Sequence, residues 1–146
     1  MHGSSHSWTP YCGVAPVPAD WLGAWNGDPI LILMITLCLG LGLRYAPQTK
    51  KYHFAASGVA LILFVTPLCA LGSALFSIRT IHHVALALIL APLLARSLDL
   101  RRFVGPRALG ALTGIQAIIF WFWHAPPVYS AALSSDIVFW VMQLSL

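Results

Sequence analysis

The chain has 146 residues, 59% of them hydrophobic and 8% charged, with a formal net charge of +4 and a mean hydropathy of +0.82. Soluble chains average about 25% charged residues, so this composition excludes a water-soluble globular domain and makes lipid the expected solvent. Backbone groups in lipid must be satisfied within each segment, which selects helices; the alternation of a barrel strand is absent, and the basic residues sit in short loops rather than in a nucleic-acid-binding patch.

Residues 1–28 are polar and aromatic, and Trp8, Tyr11, Trp21 and Trp25 read as an interfacial belt. The segment lacks a basic stretch followed by an apolar one, so it is not expected to be a cleavable signal peptide. A first span is expected over 29–45, followed by a polar turn containing Pro47, Lys50 and Lys51. A second runs over 52–75, kinked by Pro67. A turn at 77–80 leads into a third, which Pro92 bends and which ends near Leu98. A fourth runs over 108–124 and is stopped by Pro126-Pro127, and 128–135 reads as a short connection. A fifth apolar segment opens at Asp136; residues 136–146 rise about 16 Å as helix, short of a crossing. That segment reads as truncated, or as docked in a partner. The expected architecture is an all-α, polytopic transmembrane helical bundle with four full spans and an incomplete fifth. Residues 1–28 form its periplasmic or interfacial segment and 29–146 the bundle.

Basic residues orient the bundle. Seven of the eight, Arg44, Lys50, Lys51, Arg96, Arg101, Arg102 and Arg107, flank the first and third connections, and only Arg79 lies on the opposite side. The excess of positive charge marks the inner side, so the N-terminus is expected outside, in the periplasm or its equivalent. That topology places His2, His6, His82, His83 and His124 on or near the outer face and leaves only His53 at the inner one.

Three groupings carry chemistry. Arg79, His82 and His83 share one helix; residues three or four apart lie on one face, whereas His82 and His83 are about 100° apart and are not expected to share one centre. One imidazole could bind a metal while Arg79 anchors the helix or pairs with a carboxylate; the other reading is an interfacial polar cap with Arg79 snorkelling. His124 ends Trp121-Phe122-Trp123-His124-Ala125-Pro126-Pro127, where the prolines fix the direction of its ring. It is a metal ligand or a belt residue among tryptophans. A short connection makes spans three and four antiparallel neighbours, so His83 and His124 are expected to approach. The third grouping, His2, His6 and Cys12, is either a soft-metal capture arm or a polar tail. Cys38 and Cys69 read as inert packing and Cys12 as the reactive thiol. Gly40, Gly42, Gly105, Gly110 and Gly114 would permit close helix approach. Four acidic residues, no carboxylate pair and no activated nucleophile argue against an enzyme.

The stretch Ser73-Ala74-Leu75-Phe76 through His83 to Ala91-Pro92-Leu93-Leu94, and the stretch Phe122-Trp123-His124-Ala125-Pro126-Pro127-Val128-Tyr129-Ser130-Ala131-Ala132-Leu133, resemble the polytopic CtaG family of cytochrome c oxidase assembly factors. The resemblance implies an all-helical membrane protein that matures haem–copper oxidases by holding or inserting copper. It implies His83 and His124 as copper-coordinating positions. By placement, His82 is a reserve ligand, and Arg79, Trp123, Pro126 and Pro127 are expected in structural or partner roles. Many members carry His four residues before the matched His, and here that position is Arg79. The expected setting is a bacterial inner membrane, with oxidase subunits as partners and no nucleic acid. Two other functions fit the residues: a metal-free structural subunit of a respiratory oxidase or supercomplex, and a haem protein with His83 and His124 as axial ligands.

Overall fold

The computed structural model describes residues 9–100 and 105–146, and over them the secondary structure is helical throughout, with no strand. Asp28 caps α1 (Pro29–Tyr45): its carboxylate accepts from the Ile30 amide at 2.8 Å, and Pro29 takes the first helical position, where a missing N–H is harmless. Pro47 then starts a single 3₁₀ turn, Pro47–Thr49, that feeds α2 (Lys50–Phe64). The chain turns by 116° between α1 and α2, which pack together. Gly42 makes that packing close, because a Cβ there would meet the His53 ring. Gly40, Gly105, Gly110 and Gly114 face open space, so the close-approach role expected of them is not theirs.

The second span expected over 52–75 is two helices. α2 stops at Phe64, and Pro67, lacking an N–H, caps α3 (Leu68–Ala74). The turn expected at 77–80 lies instead at Leu75, which is extended (φ −124°, ψ 121°). Ser77 to Thr80 are helical, inside α4 (Phe76–Ala85). α4 passes through a π-helical stretch, Leu86–Leu90, into α5 (Ala91–Ser97), giving one unbroken helix of 22 residues. Pro92 follows that stretch and leaves the carbonyl one α turn before it without an amide; the wider π turn accommodates the gap. Asp99, at φ 52°, enters the left-handed region just beyond the helix end.

α6 (Pro106–His124) ends where the prolines require it. The expected connection after it is itself helical. Pro126 and Pro127 occupy the first turn of α7 (Pro126–Ser134), the one place in a helix where proline is favoured, and the chain bends by 75° between α6 and α7. Ser135 caps α8 (Asp136–Ser145).

Phe76–Ser97 is the one described helix long and apolar enough to cross a bilayer unbroken. Pro29–Tyr45 with Pro47–Phe64, and Ala108–His124 with Pro126–Ser134, meet the length only as bent pairs, and Asp136–Ser145 is shorter still. α1, with 17 residues, rises about 26 Å, at the lower limit for a span. Along α6, Leu109, Leu112, Ile115, Ile118, Trp121 and Phe122 are all exposed, a surface suited to hydrocarbon rather than water.

The core lies where α2, α3, α4 and α8 meet, around Phe64, Cys69, Leu86, Phe139 and Met142. The N-terminal segment is fastened to it in three ways. Tyr11 stacks on Phe139 with ring centroids 5.0 Å apart and meets Trp140 edge-on at 5.1 Å. The Tyr11 hydroxyl donates to the Asp28 carboxylate. Cys12 and Cys69 form a disulfide across 57 positions of sequence. That bond corrects two expectations: Cys69 is not an inert packing residue and Cys12 is not a free thiol. Cys38 is not packed either, being exposed on α1.

Candidate metal centre

The α3–α4 corner brings Arg79 back over Gly72. The Arg79 Nε donates to the Gly72 carbonyl at 3.3 Å, and its guanidinium lies 3.5 Å above the Tyr129 ring of α7. A partly buried cation on an aromatic face contributes about 1–2 kcal/mol. Arg79 therefore joins α3, α4 and α7 rather than snorkelling to a membrane surface. Tyr129 is the partner that sequence spacing did not reveal, because it lies 50 positions away on another helix.

Starting α4 at Phe76 also moves the histidines. His82 and His83 are not at a helix end but about 10 Å along the helix, and both are buried, at 7% and 2% exposure. Their rings diverge. His82 meets Phe64 of α2 edge-on at 5.3 Å, whereas His83 turns toward α6 and meets His124 at 5.3 Å and 89°. The His82 and His83 centroids are 6.0 Å apart.

His124 is the last residue of α6, held by its own helix. Its Nδ1 lies 2.7 Å from the Phe120 carbonyl, and its ring stacks on Phe120 at 4.1 Å. A carbonyl can only accept, so Nδ1 carries the proton and Nε2 carries the lone pair. Metal-ligating histidines are oriented by this kind of bond. The free nitrogen is also buried: His124 Nε2, His83 Nδ1 and His82 Nε2 are all shielded and have no hydrogen-bond partner. A buried unsatisfied polar atom costs about 1–3 kcal/mol, so three in one region need a chemical reason.

The separation of the His83 and His124 rings is compatible with two imidazoles on one ion. With metal–nitrogen bonds of about 2 Å and a tetrahedral angle, two imidazoles on one ion have centroids roughly 5 Å apart, close to the observed 5.3 Å. With Cys12 and Cys69 joined as a disulfide, no three His, Cys, Asp or Glu side chains among the described residues are grouped to encircle an ion, so this pair would supply two ligands and leave other positions open. A small cavity of about 30 Å³ adjoins His82 and His83, bordered also by Arg79, Tyr129 and the Cys12–Cys69 disulfide. Its size suits a water or an ion.

The remaining candidates are placed as follows. Trp123 is buried and its Nε1 donates to Ser145 Oγ at 2.8 Å, tying α6 to α8. Pro126 and Pro127 are exposed and open α7, which turns by 75° from α6 just after His124. Cys12 is oxidised, so a capture arm built on its thiol does not exist in this state. His2 and His6, the other members of that arm, lie outside the described residues. His53 is buried against Gly42, with Nε2 3.3 Å from the Thr49 hydroxyl, and so has a structural partner.

Compared with known proteins, the chain matches no protein-family model, no curated protein and no solved structure.

Proposed function

We propose that the chain is a membrane-embedded helical bundle of the CtaG type that holds copper at its outer face during maturation of a haem–copper oxidase. The observation that carries the reading is the His83–His124 pair. One imidazole is fixed by its own helix carbonyl, the other is buried on a neighbouring helix, and each presents a shielded ring nitrogen with no partner. Imidazole suits copper. A two-ligand site with open positions suits an ion that is passed on by ligand exchange to an oxidase subunit in the same membrane.

The proposed topology has four spans, an incomplete fifth and the N-terminus outside a bacterial inner membrane. The disulfide supports it: Cys12 in the N-terminal segment is joined to Cys69 beyond α2, and disulfides persist in oxidising compartments such as the periplasm. Residues 1–28 then form the outer segment and 29–146 the bundle.

Cu(I) titration of the purified protein against a chromogenic chelator tests the reading. His83→Ala and His124→Ala are each expected to weaken binding at least tenfold, and unchanged affinity in the double variant rejects the copper site. The metal-free structural reading predicts that unchanged affinity, together with stoichiometric co-purification with the oxidase.

A further inference from the structure

The small cavity beside the histidines has a second set of donors. His82 and the Cys12–Cys69 disulfide border the same space of about 30 Å³, while His83 is engaged toward His124. His82 Nε2 is buried, belongs to a residue only 7% exposed, and has no partner. As a disulfide the two sulfurs are poor ligands, but as thiolates they are the softest donors a protein has. We infer that opening the Cys12–Cys69 disulfide creates a second, redox-gated site for Cu(I), made by Cys12 Sγ, Cys69 Sγ and His82 Nε2.

The chemistry balances. An external protein dithiol reduces the bond by exchange: its two thiols become a disulfide, and Cys12 and Cys69 each receive one electron and one proton. Cu(I) then displaces both thiol protons, giving a bis-thiolate copper unit with one net negative charge. The Arg79 guanidinium, on the border of the same cavity, supplies the opposite charge that a buried anion needs. Reoxidation by a protein disulfide takes two electrons from the sulfurs, restores the Cys12–Cys69 bond and expels Cu(I), while the oxidant takes up two solvent protons and becomes a dithiol. His83 borders the same cavity, so the released ion would stand beside one member of the His83–His124 pair, and one thiol–disulfide exchange could load it. The inference does not need that pair to bind copper.

The test uses full-length Cys38→Ser protein in lipid nanodiscs, so that only the cysteine pair responds. Bound Cu(I) is measured against a chromogenic chelator before and after reduction by a phosphine that is then removed. The expected result is one additional Cu(I) per chain on reduction, with thiolate-to-metal absorption in the ultraviolet. The increment should vanish in Cys12→Ser/Cys69→Ser and weaken at least tenfold in His82→Ala, which leaves the disulfide intact and guards against misfolding of the cysteine variant. It should persist in His124→Ala, which separates this site from the imidazole pair. No increment, an increment that survives loss of both cysteines, or unchanged affinity in His82→Ala overturns the inference.

Discussion

Gly42 lies against the face of His53, where a Cβ would fall 2.3 Å from the ring Nδ1 and 2.5 Å from Cε1. The ring cannot retreat freely, because its Nε2 is against the Thr49 hydroxyl, which also lies 3.0 Å from the Ser97 carbonyl at the end of α5. One absent methyl group thus sets the spacing of α1, α2 and α5 where the three meet. Gly42→Ala is expected to destabilise the protein by about 1–3 kcal/mol through overpacking. Gly40→Ala, which faces open space, should be neutral or stabilising by up to about 1 kcal/mol. Thermal unfolding of both variants in one detergent checks the contrast.

Arg79 should move stability and copper affinity in opposite directions. Arg79→Gln loses the cation on Tyr129 and is expected to lower stability by about 1–2 kcal/mol. Arg79 and His83 are one helical turn apart and border one cavity, so the guanidinium repels a cation held by neutral imidazoles. Removing it should tighten Cu(I) binding to the His83–His124 pair by about fivefold, on the order of 1 kcal/mol. Chelator competition and thermal unfolding on the same preparation read both effects.

The fastening of the N-terminal segment should be sensitive to acid. The Tyr11 hydroxyl first, and the Ile30 amide second, hold the Asp28 carboxyl below the usual carboxylate range. A lowered folded value adds stability above the unfolded value, near 4, and that stability is lost as pH falls through the folded value. Tyr11 moves the other way: burial first, and Asp28 second, push its hydroxyl above the usual range. Its contribution is present below about 10 and lost as pH rises through the raised value. Tyr11→Phe should therefore raise the Asp28 titration midpoint toward that of a free carboxylate, as followed by carboxyl carbon NMR. Asp28→Asn should abolish the acid-induced loosening of the segment, as followed by hydrogen exchange at residues 10–13.

Trp123 should behave as a tie rather than a ligand. Trp123→Phe removes the hydrogen bond to Ser145 while keeping most of the buried ring. The expected loss is about 1 kcal/mol of stability, with Cu(I) affinity unchanged.

Two helix ends were legible from proline, while Pro67 was read as a kink and not as the break between α2 and α3. Pro29 opens α1 and Pro126 closes off α6, because a residue without an N–H has few places to sit. The same rule misled at Pro126-Pro127, where a helix stop is also the preferred start of the next helix. The corner at Leu75 has no glycine or proline to announce it, so the helix bearing the histidines was placed too late and they were set too near its end. The approach of His83 and His124 followed from their antiparallel placement. The bond between Cys12 and Cys69 did not, since three cysteines with no paired spacing imply no pairing. Nor did the seat of Arg79 on Tyr129, which depends on how α7 folds back.

A π turn holds one more residue than an α turn, so Leu86–Leu90 acts as a phase shifter within the 22-residue helix. Above it, His83 points at His124; below it, Ser97 presents its carbonyl to Thr49. Each residue turns a helix by about 100°. A uniform α-helix of the same sequence could satisfy one end of this arrangement but not both. The extra residue lets one half of the helix face His124 while the other half stays locked against Thr49.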